Sequence, residues 1–329
     1  MKAVLATPAL IDTELPEPSP GPRDLLVKVE AIALNPVDLK VRDAMGADDP
    51  PRQLGWDAAG VVLAVGEEVG RFRPGAMVMF AGAIDRPGCH AEAVLVDKCL
   101  VGRRPNMLSW AEAAAIPLTG LTAWEALFER LRLDPYGGDQ GTSLLILGGA
   151  GGVGSLAIQL ARGAGLTVIA SASRPESQAW VRELGADHVV DHHQPLAPQL
   201  AALGFPRVEA IANFSDTDAH WQSMAELIAP QGSIVAIVGN RAPLDLNLLK
   251  AKSVSFSWEF MFTRSQFQTK DMGRQGEILD RLAELFEANV LRPSLRRTFT
   301  PINAANLELA YGELAGGHMV GKLALVGWG

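Results

Sequence analysis

The stretch Leu144–Arg162, LLILGGAGGVGSLAIQLAR, passes from an apolar run through a glycine cluster into an amphipathic pattern. A short apolar run bounded by glycine reads as a buried strand, and the 3.6-residue spacing after it reads as a helix. Between them Gly149, Gly151 and Gly154 fit G-x-G-x-x-G, with Ala150, Gly152 and Val153 as the intervening residues. Such a motif alone is weak. Here a strand precedes it, a helix follows, and a second apolar run, LTVIASA (166–172), stands where the next strand belongs. The spacing assigns Gly149 to a tight turn, Gly151 to close approach of a pyrophosphate, and Gly154 to close helix–strand packing. The helix N-terminus adds unpaired N–H groups and positive potential for the anion.

The same alternation continues outward. SLLILG, LTVIASA, HVVD, VEAIANF, GSIVAIVG and SVSFSWEF read as strands separated by helical segments, the pattern of a parallel sheet covered on both faces. The first ~110 residues differ. Apolar or alternating runs such as LLVKVEAIALN and AAGVVLAVG are punctuated by SPGPRD, RFRPGA and DRPG, which suits a compact β-rich domain. Between them SWAEAAAIPLTGLTAWEALFERL reads as helical, with Ser109 and Glu112 at capping-box spacing. After the sixth strand come a helix, a strand, a helix and a last strand, KLALVG. Their pattern does not say which domain they join.

The end of the second strand bears on which dinucleotide binds. An acidic side chain there selects a ribose diol. This chain has ASASRPE (170–176), with no acid before Glu176. Ser171, Ser173 and Arg174 suit a 2′-phosphate instead, so NADPH is the expected cofactor. Ser173 and Glu176 also have capping-box spacing.

Composition narrows the function classes. With 329 residues, two domains are expected. A net charge of −8 disfavours nucleic acid and anionic membrane as partners. Two cysteines, Cys89 and Cys99, are too few for a disulfide scaffold. The N-terminal residues do not read as a signal peptide, and no apolar run approaches the ~18–20 residues of a membrane span, so a cytoplasmic enzyme is expected.

Six stretches carry a wider likeness: GPRDLLVKVEAIALNPVDLKVR, LGWDAAGVVLAVGEEV, AEAAAIPLTGLTAWEALFERL, LLILGGAGGVGSLAIQLAR, SASRPESQAWVRELGADHVVDH and SWEFMFTRSQFQT. Through them nearly the whole chain resembles the medium-chain dehydrogenase/reductase superfamily, on its quinone-oxidoreductase side, and in particular the zinc-type alcohol dehydrogenase-like group. The resemblance implies an α/β architecture with two domains. Residues 1–117, completed by 267–329, would form a GroES-like β-barrel substrate domain, and residues 118–266 a Rossmann doubly wound parallel-sheet domain. It also implies a homodimer built across the last Rossmann strand, SVSFSWEF.

The family's catalytic zinc must be tested by residue. Where zinc enzymes place a cysteine, this chain has Asn35; where they place the histidine of Gly-His-Glu, it has Trp56 in Gly55-Trp56-Asp57; near the domain junction it has Thr119. Indole, amide and threonine hydroxyl are poor substitutes for imidazole and thiolate, so no metal is expected. Cys89 and His90 adjoin in RPGCHAE, but neighbours on a strand point to opposite faces.

Without zinc the substrate must already be electrophilic, so the expected reaction is NADPH-dependent reduction of a quinone or an α,β-unsaturated carbonyl. The resemblance nominates Asn35 to donate to a substrate oxygen, Lys40 to meet developing negative charge, and Asp38 to orient Lys40 or Arg42. Asp38 and Arg42 are also spaced for a local ion pair. It nominates Trp56 and Phe80 as walls for a flat ring, and Thr119 to touch nicotinamide or substrate. Further cofactor contacts are expected from Asn213, Phe214, Val238, Gly239 and Phe262, and from Lys322 to a phosphate. Two alternatives stay open: an alcohol dehydrogenase or carbonyl reductase of the zinc-type family, and a non-enzymatic NADPH-binding redox sensor.

Overall fold

A computed structural model describes all residues except Pro8 and Ala47. The chain packs as two compact units. Met1–Leu121 and Met261–Gly329 form the first, and Thr122–Phe260 the second. Their limits lie a few residues from the expected 117/118 and 266/267.

In the second unit, six strands pair in parallel. In chain order they are Ser143–Leu147, Thr167–Ser171, His188–Val190, Val208–Asn213, Ile228–Ala236 and Ser255–Trp258. Their spatial order is third, second, first, fourth, fifth, sixth. This is the order of a doubly wound dinucleotide-binding sheet. Leu145, Leu147, Ile169 and Ile211 on the strands pack with Leu200, Trp221 and Met224 from the helices, all closed to solvent. Burial on both faces explains why these strands read as continuous apolar runs.

In the first unit, one long strand, Asp24–Ala33, organises a seven-stranded sheet. Along one edge it pairs with Ala58–Val65. Its other edge is shared: the first half pairs with Ala93–Asp97 and the second half with Lys322–Val326. The parallel strand Leu295–Phe299 continues beyond Lys322–Val326. The terminal strand–helix–strand segment therefore belongs to the first unit.

The helical stretch predicted after Ser109 is broken into pieces. Ser109 and Glu112 form the expected capping box, opening a helix over Trp110–Ala114. Pro117 then starts a second helix, Pro117–Trp124, because its ring cannot continue the preceding one. Residues Glu125–Arg130 wind more widely, as a π-helix. Such turns are rare and concentrate at special sites.

Candidate active site

The glycine turn of the second unit has the steric logic of a phosphate cradle. The left-handed residue is Gly148, at φ +79°, so the tight turn falls one residue earlier than the motif assigns it. A Cβ on Gly154 would lie 2.3 Å from the Gly148 carbonyl oxygen, which reserves the position for glycine. A Cβ on Gly151 would meet nothing nearer than 3.6 Å, so the backbone there can be approached closely. Gly151 caps the helix Gly152–Gly163, whose first turn includes Val153 and Gly154. These residues fit a dinucleotide pyrophosphate.

The expected 2′-phosphate set separates. Ser171 is buried, and its hydroxyl oxygen accepts the Gly148 N–H at 3.0 Å. It braces the turn rather than facing a ligand. Ser173 and Arg174 are partly exposed at the strand end. The cap of the next helix is Arg174 with Ser177, not Ser173 with Glu176: Ser177 Oγ accepts the Arg174 N–H at 3.1 Å. The loops after the fourth and fifth strands are tied together. Asn213 Nδ2 donates to Thr217 Oγ1 at 3.2 Å, and Thr217 Oγ1 donates to the Val238 carbonyl at 2.5 Å. Phe214 and Val238 are partly exposed beside this brace, and Gly239 is exposed.

In the first unit the nominated residues converge on a buried ionic cluster. Asn35 caps the helix Pro36–Asp43, and Asp38 Oδ2 accepts its backbone N–H at 2.8 Å. Asn35 Nδ2 donates to Asp57 Oδ2 at 2.8 Å. Lys322 Nζ donates to the Leu34 carbonyl (2.6 Å), Asn35 Oδ1 (2.6 Å) and Asp57 Oδ2 (3.0 Å). The Leu118 N–H donates to Asp57 Oδ1 at 2.8 Å. Asn35, Asp38, Asp57 and Lys322 are all buried. Burial raises the pKa of Asp57, while Lys322, Asn35 and the Leu118 N–H work against the rise.

Two sequence expectations are corrected here. An ammonium has three hydrogens, and Lys322 commits all three inside the cluster, so it does not reach for a cofactor phosphate. Asp38 does not pair with Arg42. Arg42 instead makes a bidentate ion pair with Glu308, at 2.6 and 2.9 Å. Lys40 lies on the exposed side of the same helix and is not part of the cluster.

The zinc positions are spent on other work. Asn35 is held by Lys322 and Asp57. Trp56 Nε1 donates to the Ala83 carbonyl at 3.0 Å, and Thr119 Oγ1 to the Ala115 carbonyl at 3.1 Å. The Lys322 ammonium already sits against Asp57, the carboxylate next to the Trp56 position. Among the described residues no three His, Cys, Asp or Glu side chains gather closely enough to hold a metal ion. These residues do not fit catalytic zinc. Trp56 meets Phe262 edge to face at 6.2 Å. With Phe80 it lines a void of about 10 Å³, room for a single water rather than a ring.

RPGCHAE differs from its reading as a strand. Cys89 and His90 do not point apart; both press against Gly55. A Cβ there would lie 2.3 Å from His90 Cδ2 and 2.9 Å from Cys89 Sγ. Gly55, at φ +95°, admits both. Burial pushes the Cys89 thiol up and His90 down to about 3, so both are neutral.

Lys322 and Asp57 are the residues whose partnership a sequence reading misses. They lie 265 positions apart, and only the pairing of Lys322–Val326 with Asp24–Ala33 brings them together.

Comparison with known proteins finds relatives for both parts of the chain. Residues 21–118 match the alcohol dehydrogenase GroES-like domain, and residues 152–274 match the zinc-binding dehydrogenase family. A zinc-type alcohol dehydrogenase-like protein of Staphylococcus aureus is 40% identical over 310 residues, 94% of this chain and 92% of that protein. A crystal structure of a putative zinc-dependent alcohol dehydrogenase from Rhizobium etli shares 48% identity, with a TM-score of 0.95 over 100% of this chain and 98% of that one. The quinone oxidoreductase of Coxiella burnetii shares 30% identity, with a TM-score of 0.82 over 99% of both chains.

Proposed function

We propose that this chain, which belongs to the medium-chain dehydrogenase/reductase superfamily as a zinc-type alcohol dehydrogenase-like protein, is an NADPH-dependent reductase of quinones or α,β-unsaturated carbonyls that works without catalytic zinc. The observation that carries this reading is the Asn35–Asp57–Lys322 cluster, where an ammonium takes the place of a metal. A protein with no Lewis acid must use a substrate whose own conjugation accepts hydride.

When bound, the nicotinamide supplies the hydride. The turn at Gly148–Gly154 receives the pyrophosphate on the helix N-terminus. Ser173 and Arg174 meet the 2′-phosphate, since a guanidinium matches that group's geometry. Asn35 gives one amide hydrogen to Asp57 and keeps the other for a substrate oxygen. Lys322 on Asn35 Oδ1 withdraws electron density from the amide and strengthens that remaining donor as negative charge develops. The edge strand Ser255–Trp258, with Trp258 and Phe260 exposed beside it, is the surface proposed for homodimer contact.

The test is NADPH consumption with a simple 1,4-quinone, using protein stripped by a strong chelator. Saturable turnover is expected, with NADPH preferred over NADH. Inactivity reversed by zinc and an alcohol would transfer the protein to alcohol oxidation. Tight NADPH binding with no turnover on any quinone or enone would make it a sensor.

A further inference from the structure

The buried polar atoms of the first unit without a hydrogen-bond partner among the described residues include Asp38 Oδ1, Tyr311 Oη, and both ring nitrogens of His90. Their side chains are 0–2% exposed. Leaving such groups unpaired is costly, so each calls for an explanation. They belong to one neighbourhood. The His90 and Tyr311 rings are 6.2 Å apart, and the Asp38 and Cys89 groups act electrostatically on the Tyr311 hydroxyl. Three separate elements supply them: the helix Pro36–Asp43, the RPGCHAE segment and the helix Ala304–Ala315.

Tyr311 has a second neighbour. It lines an open pocket of about 600 Å³ with Leu39, Arg42, Glu308 and Gly312. Tyr311 thus borders this pocket and also lies within electrostatic reach of Asp38, while its hydroxyl is closed to solvent. On its other oxygen, Asp38 holds the backbone N–H of Asn35.

We propose that Asp38, Tyr311 and His90 enclose a buried water site that relays protons from the Arg42–Glu308 pocket to the Asn35 cluster. This rests on the reductase reading above. Hydride addition leaves the reduced substrate one proton short, as a hydroquinone monoanion or an enolate. Asp38 releases its carboxyl proton through the enclosed water to that anion. Tyr311 then passes its hydroxyl proton through the same water to Asp38 Oδ1 while accepting one from water entering from the pocket. The phenol ends as it began, and the sum is one hydride from the cofactor and one proton from solvent per substrate.

The surroundings suit those roles. Burial pushes Asp38 up to about 7; the Asn35 N–H and Lys322 oppose the rise and Asp57 adds to it. Asp38 can thus gain and lose its proton near neutrality. Burial keeps Tyr311 a neutral phenol, with Asp38, Cys89 and Glu308 acting in the same direction and Arg42 against it. A hydroxyl that donates and accepts together needs no phenolate. His90, held neutral by burial, anchors the water without competing for the proton.

The experiment uses Tyr311→Phe and Asp38→Asn in the full chain. The first readout needs no turnover: the infrared carbonyl band of a protonated carboxyl near neutral pH, in H2O and D2O. Glu259 also keeps a proton at neutral pH, so the Asp38 band is the component lost in Asp38→Asn, and that component should shift in Tyr311→Phe. The second is kcat for enone reduction, with its solvent isotope effect and pH profile. Tyr311→Phe should lower kcat about tenfold or more, leave KM within about twofold, and change the isotope effect. An unshifted band in Tyr311→Phe overturns the relay whether or not the protein turns over. Unchanged kcat and isotope effect in a working reductase overturn it while leaving the reductase reading intact. Absence of wild-type turnover together with a shifting band would sink the reductase reading and keep the proton path.

Discussion

Lys322 Nζ stands 3.0 Å from Asp57 Oδ2, across 265 residues of chain, with both side chains closed to solvent. Removing one member leaves a buried charge without its counterpart. Lys322→Met should destabilise the first unit by about 3–5 kcal/mol, and the double variant Lys322→Met, Asp57→Asn should recover part of that loss. Urea unfolding followed by far-UV circular dichroism measures both. Additive losses would show that the two groups do not act as a pair.

Gly55 is held at φ +95°, with His90 filling the space a side chain would need. Gly55→Ala should cost at least about 2 kcal/mol, from backbone strain and displacement of His90 together. Adding His90→Ala relieves the clash but not the strain, so only partial recovery is expected. Thermal unfolding of the three variants separates the two contributions.

Glu259 and Glu125 are buried side by side in the second unit, and Arg130 Nε donates to Glu259 at 2.8 Å. Burial, followed by the Glu125 charge, pushes Glu259 up to about 9, with Arg130 acting against the shift. The folded unit therefore keeps a proton that an unfolded glutamic acid loses near 4.5. Stability from this group is complete at low pH and declines as pH rises toward about 9, with a limiting slope of about 1.4 kcal/mol per pH unit. Glu259→Gln carries no such proton, so its unfolding midpoint should vary less with pH over that window. Parallel wild-type and variant curves would mean the two carboxyls hold no shared proton.

Arg174 stands at the end of the second Rossmann strand, where no acidic residue precedes it. Arg174→Ala should weaken NADPH binding about tenfold or more, and NADH binding hardly at all. Cofactor fluorescence titration reads both. Equal losses would assign the side chain to a part of the dinucleotide common to both cofactors.

Much of the second unit is legible in the sequence because its information is local. LLILGGAGGVG contains a strand, a turn and a helix start within one short run, and each steric demand falls on a glycine. Even so, the left-handed position is Gly148, since motif spacing does not reveal which glycine turns the chain. The first unit is harder to read because its chemistry is assembled over long distances. Asn35 and Asp57 stand out as departures from zinc ligands and their neighbours, but nothing near Lys322 in sequence announces its carboxylate. The same holds for Arg42, whose partner is Glu308 and not the nearby Asp38. Local spacing also misjudged Cys89 and His90, because RPGCHAE bends around Gly55 instead of extending.

The strand Lys322–Val326 sits between Asp24–Ala33 and Leu295–Phe299. During synthesis, the early strand leaves the ribosome long before the residues that complete half of its edge. The continuous segment Thr122–Phe260 can fold as soon as it emerges, as domains generally do. The first unit must wait, half of that strand's edge unpaired, until Lys322–Val326 has been translated. That interval is when a nascent chain of this design depends most on chaperones, and it ends only as the lysine that neutralises Asp57 arrives.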